Sequence, residues 1–438
     1  PNTKPNGTIS NGKTEKEKEG KDISKEVERR FPKYTKPAKQ TVENADYYVS
    51  TNHGDDDNDG SKANPFKTIE KARDTLRHLI STSPASVSRN MTVAIMGGEY
   101  NIKDTLSFDQ RDVLPNGYRI TYTSYDSKEV SLSGGQRFKG SDFADLTDAE
   151  KNRLPEEARD KVKVLDLYSK GITSEEIDKL YAIGGFSQGR KYGEKWGHPE
   201  AVDVFWGDKK MSIARYPNKG YSKIESVVDT GQAQENVSEA DKINWGATET
   251  PRPPKFIVES DMKERMQKWS KPTDERNSIW SYGYYYHDWA DASTPVSDFH
   301  KANGQLDVKY GSPYGIQKYN PRTGAGVHYV YNVFEELDSE GEYYIDRVTG
   351  RMYVYFPKGN TDDVEINISI LKKSLIETND KAKNITLDGM TLKFTRGNAV
   401  ESKGSNMILS NMVIKNIARN GMRVQGFNNI INDNEIFN

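Results

Sequence analysis

From Tyr47 to Gly135 the chain runs largely in short apolar-rich stretches bounded by Gly, Asn or Asp, and the longest alternates apolar and polar with a period of two. "YRITYTSY" (118–125) is that longest one. "MTVAIM" (91–96), "TLSF" (105–108) and "EVSLSGG" (129–135) are shorter cases, and Tyr47 to Ser50 opens the series. One early segment has helical spacing instead. Phe66, Ile69, Ala72, Leu76, Leu79 and Ile80 predict a helix near 66–80, opened by Pro65. From 139 the character changes. Thr147-x-x-Glu150 and Thr173-x-x-Glu176 are capping boxes that predict two short helices, and "KVKVLDL" (161–167) predicts a strand between them. Hairpins are predicted at 201–218, turning at Gly207-Asp208, and at 341–357, turning at Thr349-Gly350. Residues 220–330 read as loop-rich. Together 139–360 reads as an inserted, mainly β subdomain.

The last stretch carries a repeat. Asn384, Asn406 and Asn428 open "NITL", "NMIL" and "NNII" at a constant step of 22 residues. Ile370, Leu392, Ile414 and Ile436 keep the same step, as do Met390 and Met412, and Asn398 and Asn420. Short β segments with Asn/Gly corners at that period match one coil of a parallel β-helix, in which like residues stack from coil to coil. A leucine-rich repeat has a similar period, but its Leu-x-x-Leu-x-Leu frame is absent. The expected fold is therefore all-β: a parallel β-helix of 46–138 and 361–438, with the helix near 66–80 covering its first coil and 139–360 inserted. The final coil would leave Ile430, Ile431 and Ile436 uncovered, which implies a C-terminal continuation or a second polypeptide completing the β-helix.

Composition narrows the chemistry. Lys+Arg 63 against Asp+Glu 65 gives a net charge of -2 and no electrostatic case for nucleic acid or an anionic membrane. No apolar run is long enough for a membrane span. With no cysteine, thiolate metal sites and cysteine nucleophiles are excluded. Residues 1–45 are rich in Lys, Glu, Asn, Gly and Pro and read as a disordered tail or linker, as on a domain held away from a cell surface. Asp55, Asp57, Asp59 and Gly60 reproduce the front half of a calcium loop, but the twelfth position is Phe66 where a bidentate Glu belongs. A polar turn is the preferred reading and a looser calcium site the alternative; no cofactor is expected.

The order "GDDDNDGS", "NPFKTIEKARDTLR", "RLPEEARDKVKVLDL", "SIARYPNKGY", "YGYYYHDWAD", "GEYYIDRVTGRMYVYFP" and "NITLDGMTLKFTRGNAV" resembles bacterial right-handed parallel β-helix proteins over residues 46–438. It is most similar to the branch of β-helical glycoside hydrolases that includes α-L-fucosidase and xylanase members. That resemblance implies an extracellular or cell-surface enzyme hydrolysing a polysaccharide or host glycan, with some of its catalytic set on later coils. Polysaccharide lyases share the fold, and a non-catalytic carbohydrate-binding module is a further alternative.

Glycoside hydrolysis needs two carboxyl groups flanking the bond. Asp288 and Asp291 in "YGYYYHDWAD" are the candidate pair, with Tyr286, His287 and Trp289 as a sugar platform. Arg396 and Arg419 stand nearly one coil apart and are candidate substrate contacts, whereas Asn398 and Asn420 read as a structural ladder. His328 beside Tyr329 and Tyr331, with Glu335-Glu336 close by, is a second candidate, and an ordinary isolated His near surface carboxylates is the preferred reading there. Gly134-Gly135 and Gly184-Gly185 read as turns.

Overall fold

In the computed structural model, residues 41–183, 200–231, 252–311, 314–359 and 361–437 are described here. The expected tail, up to residue 40, and the Gly184-Gly185 pair lie outside them.

The chain is mostly β. Three parallel sheets take one strand each from successive passes. The first contains Tyr47–Val49, Met91–Ile95, Ile120–Ser124, Ile385–Asp388, Ile408–Ser410 and Ile430–Asn432. Gly98–Asn101, Val130–Ser133, Thr391–Thr395, Val413–Ile417 and Glu435–Phe437 make the second. Leu106–Phe108, Ile376–Thr378, Val400–Ser402 and Met422–Val424 make the third. Register follows the repeat: Thr386 faces Ile408, which faces Ile430, and Leu392 faces Ile414, which faces Ile436. Between the sheets Leu106, Tyr122, Leu132, Ile376, Leu387, Leu392 and Leu409 share one apolar core. Stacked strands bury each pass only against the next, which is why these columns repeat.

Asparagine makes the corners. Asn384, Asn406 and Asn428 have φ of 57°, 56° and 55°, the left-handed region that Asn enters at less cost than other residues with a Cβ. Gly389, Asn411 and Asp433 form a second such column that their differing identities conceal. The Asn398–Asn420 ladder is present: Asn398 Oδ1 accepts from both the Asn420 backbone N–H (3.1 Å) and its side-chain amide (3.0 Å).

The helix runs Ile69–Thr82, three residues later than Pro65-Phe66 suggested. Phe66 stays extended because it bridges Val49, and Asp56 Oδ1 takes the N–H groups of Lys67 and Thr68 at 2.9 Å each. Thr68 then caps the helix through Lys71 N–H, and Ile69, Ala72 and Leu76 pack into the core of the first pass. The acidic turn is built from such bonds. Asp55 Oδ1 accepts from Asp57 N–H and Asp59 Oδ1 from Ser61 N–H.

Residues 135–370 intervene between passes whose strands pair directly, Ile120–Ser124 with Ile385–Asp388. The intervening part is antiparallel except where Ser212–Ile213 pairs in parallel with Glu342–Asp346. One sheet orders Lys209–Lys210, Val204–Trp206, Glu365–Ser369 and Gly135–Lys139; another orders Ser212–Ile213, Glu342–Asp346, Arg351–Tyr355, Val162–Asp166 and Ala144–Asp145. The predicted hairpin at 341–357 forms; of 201–218 only Val204–Trp206 and Lys209–Lys210 make one, and Ser212–Ile213 and Arg215–Tyr216 pair into other sheets. The region 220–330 is not loop-rich. Its strands Ser222–Asp229, Lys255–Val258, Gln305–Val308, Ala292–His300, Trp280–Tyr284 and Val327–Tyr331 pair in that order, and the last pairs back to the first, closing a six-stranded barrel. Ile224, Phe256, Leu306, Val308 and Val330 fill it. The predicted second helix is also corrected. Thr173 and Glu176 make their reciprocal bonds but only a turn follows, because the Glu176 carbonyl accepts from Arg396 rather than from a helical N–H. Gly134-Gly135 is a close crossing rather than a turn: a Cβ on Gly135 would lie 2.9 Å from Phe394 Cβ.

Candidate functional site

The loop that holds the expected carboxylates joins two adjacent barrel strands, Trp280–Tyr284 and Ala292–His300. Strand alternation sorts the side chains before it. Ser281 and Tyr285 are buried among the interior groups, where Ser281 Oγ bonds Tyr285 Oη (2.6 Å) and His328 Nδ1 (3.2 Å). Tyr282 and Tyr284 have the opposite parity and group with Tyr221 and Tyr329, at ring separations of 5.1–6.4 Å. Arg215 places its guanidinium carbon 3.4 Å from the Tyr329 ring centroid while donating to the carbonyls of Pro217 (2.8 Å) and Gly220 (2.6 Å).

Asp291 belongs to this tyrosine group. It is 7% exposed and accepts from Tyr282 Oη at 3.1 Å. Burial pushes the Tyr282 phenol far up, and the negative charge of Asp291 adds to the shift, so Tyr282 remains a donor. Burial also pushes Tyr329 up to about 12, against the pull of Arg215. Asp288 is exposed, three residues before Asp291 in the same loop.

Tyr286 and Trp289 are exposed, Trp289 at 56%. His287 stacks on Trp289 at 5.0 Å with 15° between ring planes, and Tyr314 sets its edge against both. An exposed aromatic group of this kind offers flat apolar faces to the C–H faces of a sugar ring. Tyr314, Tyr221 and Arg215 were not anticipated. The period-two spacing of Tyr282/Tyr284 and Tyr329/Tyr331 was the available signal for one shared face.

The arginine expectation needs correction. Arg396 is fully buried, and its guanidinium donates to the carbonyls of Glu200 (2.5 Å) and Glu176 (2.6 Å) with Asp178 Oδ1 at 3.4 Å. It clamps the insertion onto the stack and has no surface for a substrate. Arg419 is half-buried and bonds Glu200 Oε1 at 3.2 Å.

Glu335 and Glu336 are not surface residues. Both are buried, Glu335 against Arg153 and Ser270, Glu336 against Arg265 and the Trp269 indole N–H. His328 is completely buried, and that desolvation lowers its pKa to about 3, so it is neutral in the fold. Among the described residues no group of three or more His, Cys, Asp or Glu is placed to hold a metal ion. Nor is any described helix long and apolar enough to cross a membrane.

No protein-family model matches the chain, and no curated protein matches it. A solved structure does. The fold is similar to that of a "Glycoside hydrolase", with a TM-score of 0.54 and 14% identity over 87% of this chain and 67% of that one. A second, "The complex structure of XylC with xylose", aligns over 90% of this chain and 53% of that one at 11% identity; its TM-score of 0.37 carries no argument. The likeness is one of fold.

Proposed function

We propose that this protein is a carbohydrate-active enzyme of the glycoside hydrolase type, built on a parallel β-helix of the right-handed kind and acting outside a bacterial cell on a polysaccharide or host glycan. The exposed Tyr286–His287–Trp289–Tyr314 group, on a fold like that of a solved glycoside hydrolase, carries the reading. In it the aromatic rings hold the glycan, Asp288 meets it directly, and Asp291, kept in place by Tyr282, is the second carboxylate of the pair. The burial of Asp291 favours a second reading, a carbohydrate-binding module without turnover.

The test is incubation with xylans, fucosylated glycans and mucin glycans. Reducing ends should be released from one of these, and Asp288→Asn should lower the rate about 100-fold or more. An unsaturated product absorbing in the ultraviolet would identify a lyase. Glycan binding that survives both Asp288→Asn and Asp291→Asn, with no turnover in the parent, would select the binding module.

A further inference from the structure

A cavity of about 390 Å³ lies between the barrel and the five-stranded sheet, and no residue of the 286–291 loop lines it. Its volume is within the range of small-ligand sites, roughly 300–1,000 Å³. The barrel side contributes Asn277, Asn332 and Glu335; the sheet contributes Tyr344, Asp346 and Tyr353. Arg153 and Thr273 complete the wall.

Glu335 is 4% exposed, yet its three hydrogen bonds all fall on Oε1: Arg153 Nε at 3.0 Å, Arg153 Nη2 at 2.8 Å and Ser270 Oγ at 2.7 Å. Oε2 is left without a hydrogen bond among the described residues. A carboxylate fixed through one oxygen on a cavity wall keeps the other as an acceptor for a ligand. Phe334, Tyr344 and Tyr353 pack edge to face there, and Arg153 covers the Phe334 ring at 4.3 Å. Asn332, three residues before Glu335, has φ of +62° and donates to the Ser278 carbonyl at 3.0 Å.

Charge selects the ligand class. Arg153 is matched by Glu335, and Lys271 is matched by Asp298, so no surplus cation awaits a phosphate or uronate. Carboxylate acceptors, amide and guanidinium donors and aromatic edges in one recess suit the hydroxyls and C–H faces of a neutral sugar. A second cavity of about 370 Å³ shares Lys271, Pro272, Thr273 and Ile279 with the first. The recess therefore continues past the 271–273 segment.

We propose that this cleft is a separate binding site for a neutral oligosaccharide, with Glu335 as its principal acceptor. The proposal goes beyond the aromatic loop and does not depend on it. The test is isothermal titration of the full chain with neutral xylo-oligosaccharides and a neutral fucosylated oligosaccharide, run in a Trp289→Ala background so that the loop platform is disabled. Residual binding should remain there and should weaken about tenfold or more on adding Thr273→Arg, an exposed rim position that can fold normally while blocking the mouth. Glu335→Gln should do the same with its far-ultraviolet dichroism unchanged. Absence of residual binding in Trp289→Ala, or residual binding untouched by Thr273→Arg, overturns the proposal. Binding equal in the parent and Trp289→Ala but lost in Thr273→Arg would support the cleft while counting against the loop platform.

Discussion

Glu342→Gln should abolish a loss of stability that the protein otherwise shows between pH 6.5 and 8. Glu342 opens the strand Glu342–Asp346, is 3% exposed, and accepts the N–H groups of Asp338 (3.2 Å) and Ser339 (3.1 Å) on Oε2. Burial raises its pKa from 4.5 to about 8, and the charge of Asp338 adds to that. The folded chain thus keeps a proton that the unfolded chain releases. The stability contributed is complete below pH 4.5 and is lost as pH rises to 8, about 5 kcal/mol at 1.36 kcal/mol per unit. His328 works in the other direction. Its pKa falls from 6.5 to about 3, so its contribution is complete above pH 6.5 and is lost as pH falls. From 4.5 to 6.5 the two slopes cancel. From 6.5 to 8 only the Glu342 slope remains of the two, about 1.5 units or roughly 2 kcal/mol. Glutamine keeps an acceptor oxygen for both amides and cannot titrate. Urea unfolding at half-unit steps across that window should show the parent weakening and Glu342→Gln flat. Equal slopes in the two proteins, or a flat parent, would refute the reasoning.

Arg396→Ala should cost about 3 kcal/mol or more in denaturant unfolding, since it strands the carbonyls of Glu176 and Glu200 and leaves a cavity. Gly135→Ala should cost about 1–3 kcal/mol by the same measurement, because its Cβ would press on Phe394 and on the Ile368 carbonyl at 3.0 Å. Asp56→Ala should lower the melting temperature through the loss of three bonds to Lys67 and Thr68, about 1–2 kcal/mol. We expect chelator and added calcium to leave the melting temperature of the parent unchanged; a fall on chelation would establish a cation at the acidic turn.

The stack was legible where one residue type holds one position. Asn384, Asn406 and Asn428 share a backbone conformation, so the same side chain recurs and the period is visible. Gly389, Asn411 and Asp433 meet the same need with three residues, and the column disappears from view. Phe394, at φ of +60° and fully buried, lies beyond any pattern rule, since packing against Phe205 holds an aromatic where backbone preference disfavours one. The barrel was missed because the pairings that close it are far apart in sequence, although two of its neighbouring pairs are local hairpins. Ser222 pairs with His328, and nothing local announces that partnership. Burial misled in the same way at Glu335, Glu336 and Arg396. Each is charged and so reads as surface, and each is buried because a partner of opposite charge or a set of carbonyls arrives from a distant segment. The stretch 286–291 stands out in the sequence as rich in aromatics and carboxylates, but which of its members face solvent is set by the path of a loop between two strands, which has no period to read.

The direct pairing of Ile120–Ser124 with Ile385–Asp388 has a consequence during synthesis. When a ribosome has made the first passes, all three of their sheets end in open edges: Ile120–Ser124, Val130–Ser133 and Leu106–Phe108. Their partners emerge about 250–270 residues later, which at roughly 5–20 residues per second is a wait of some 13–50 s. Through that interval the nascent chain carries parallel edges able to recruit the same edges of a neighbour on the same message. The barrel, whose strands span only 222–331, can close within that time, so the order of emergence lets the insertion mature before the stack is sealed around it.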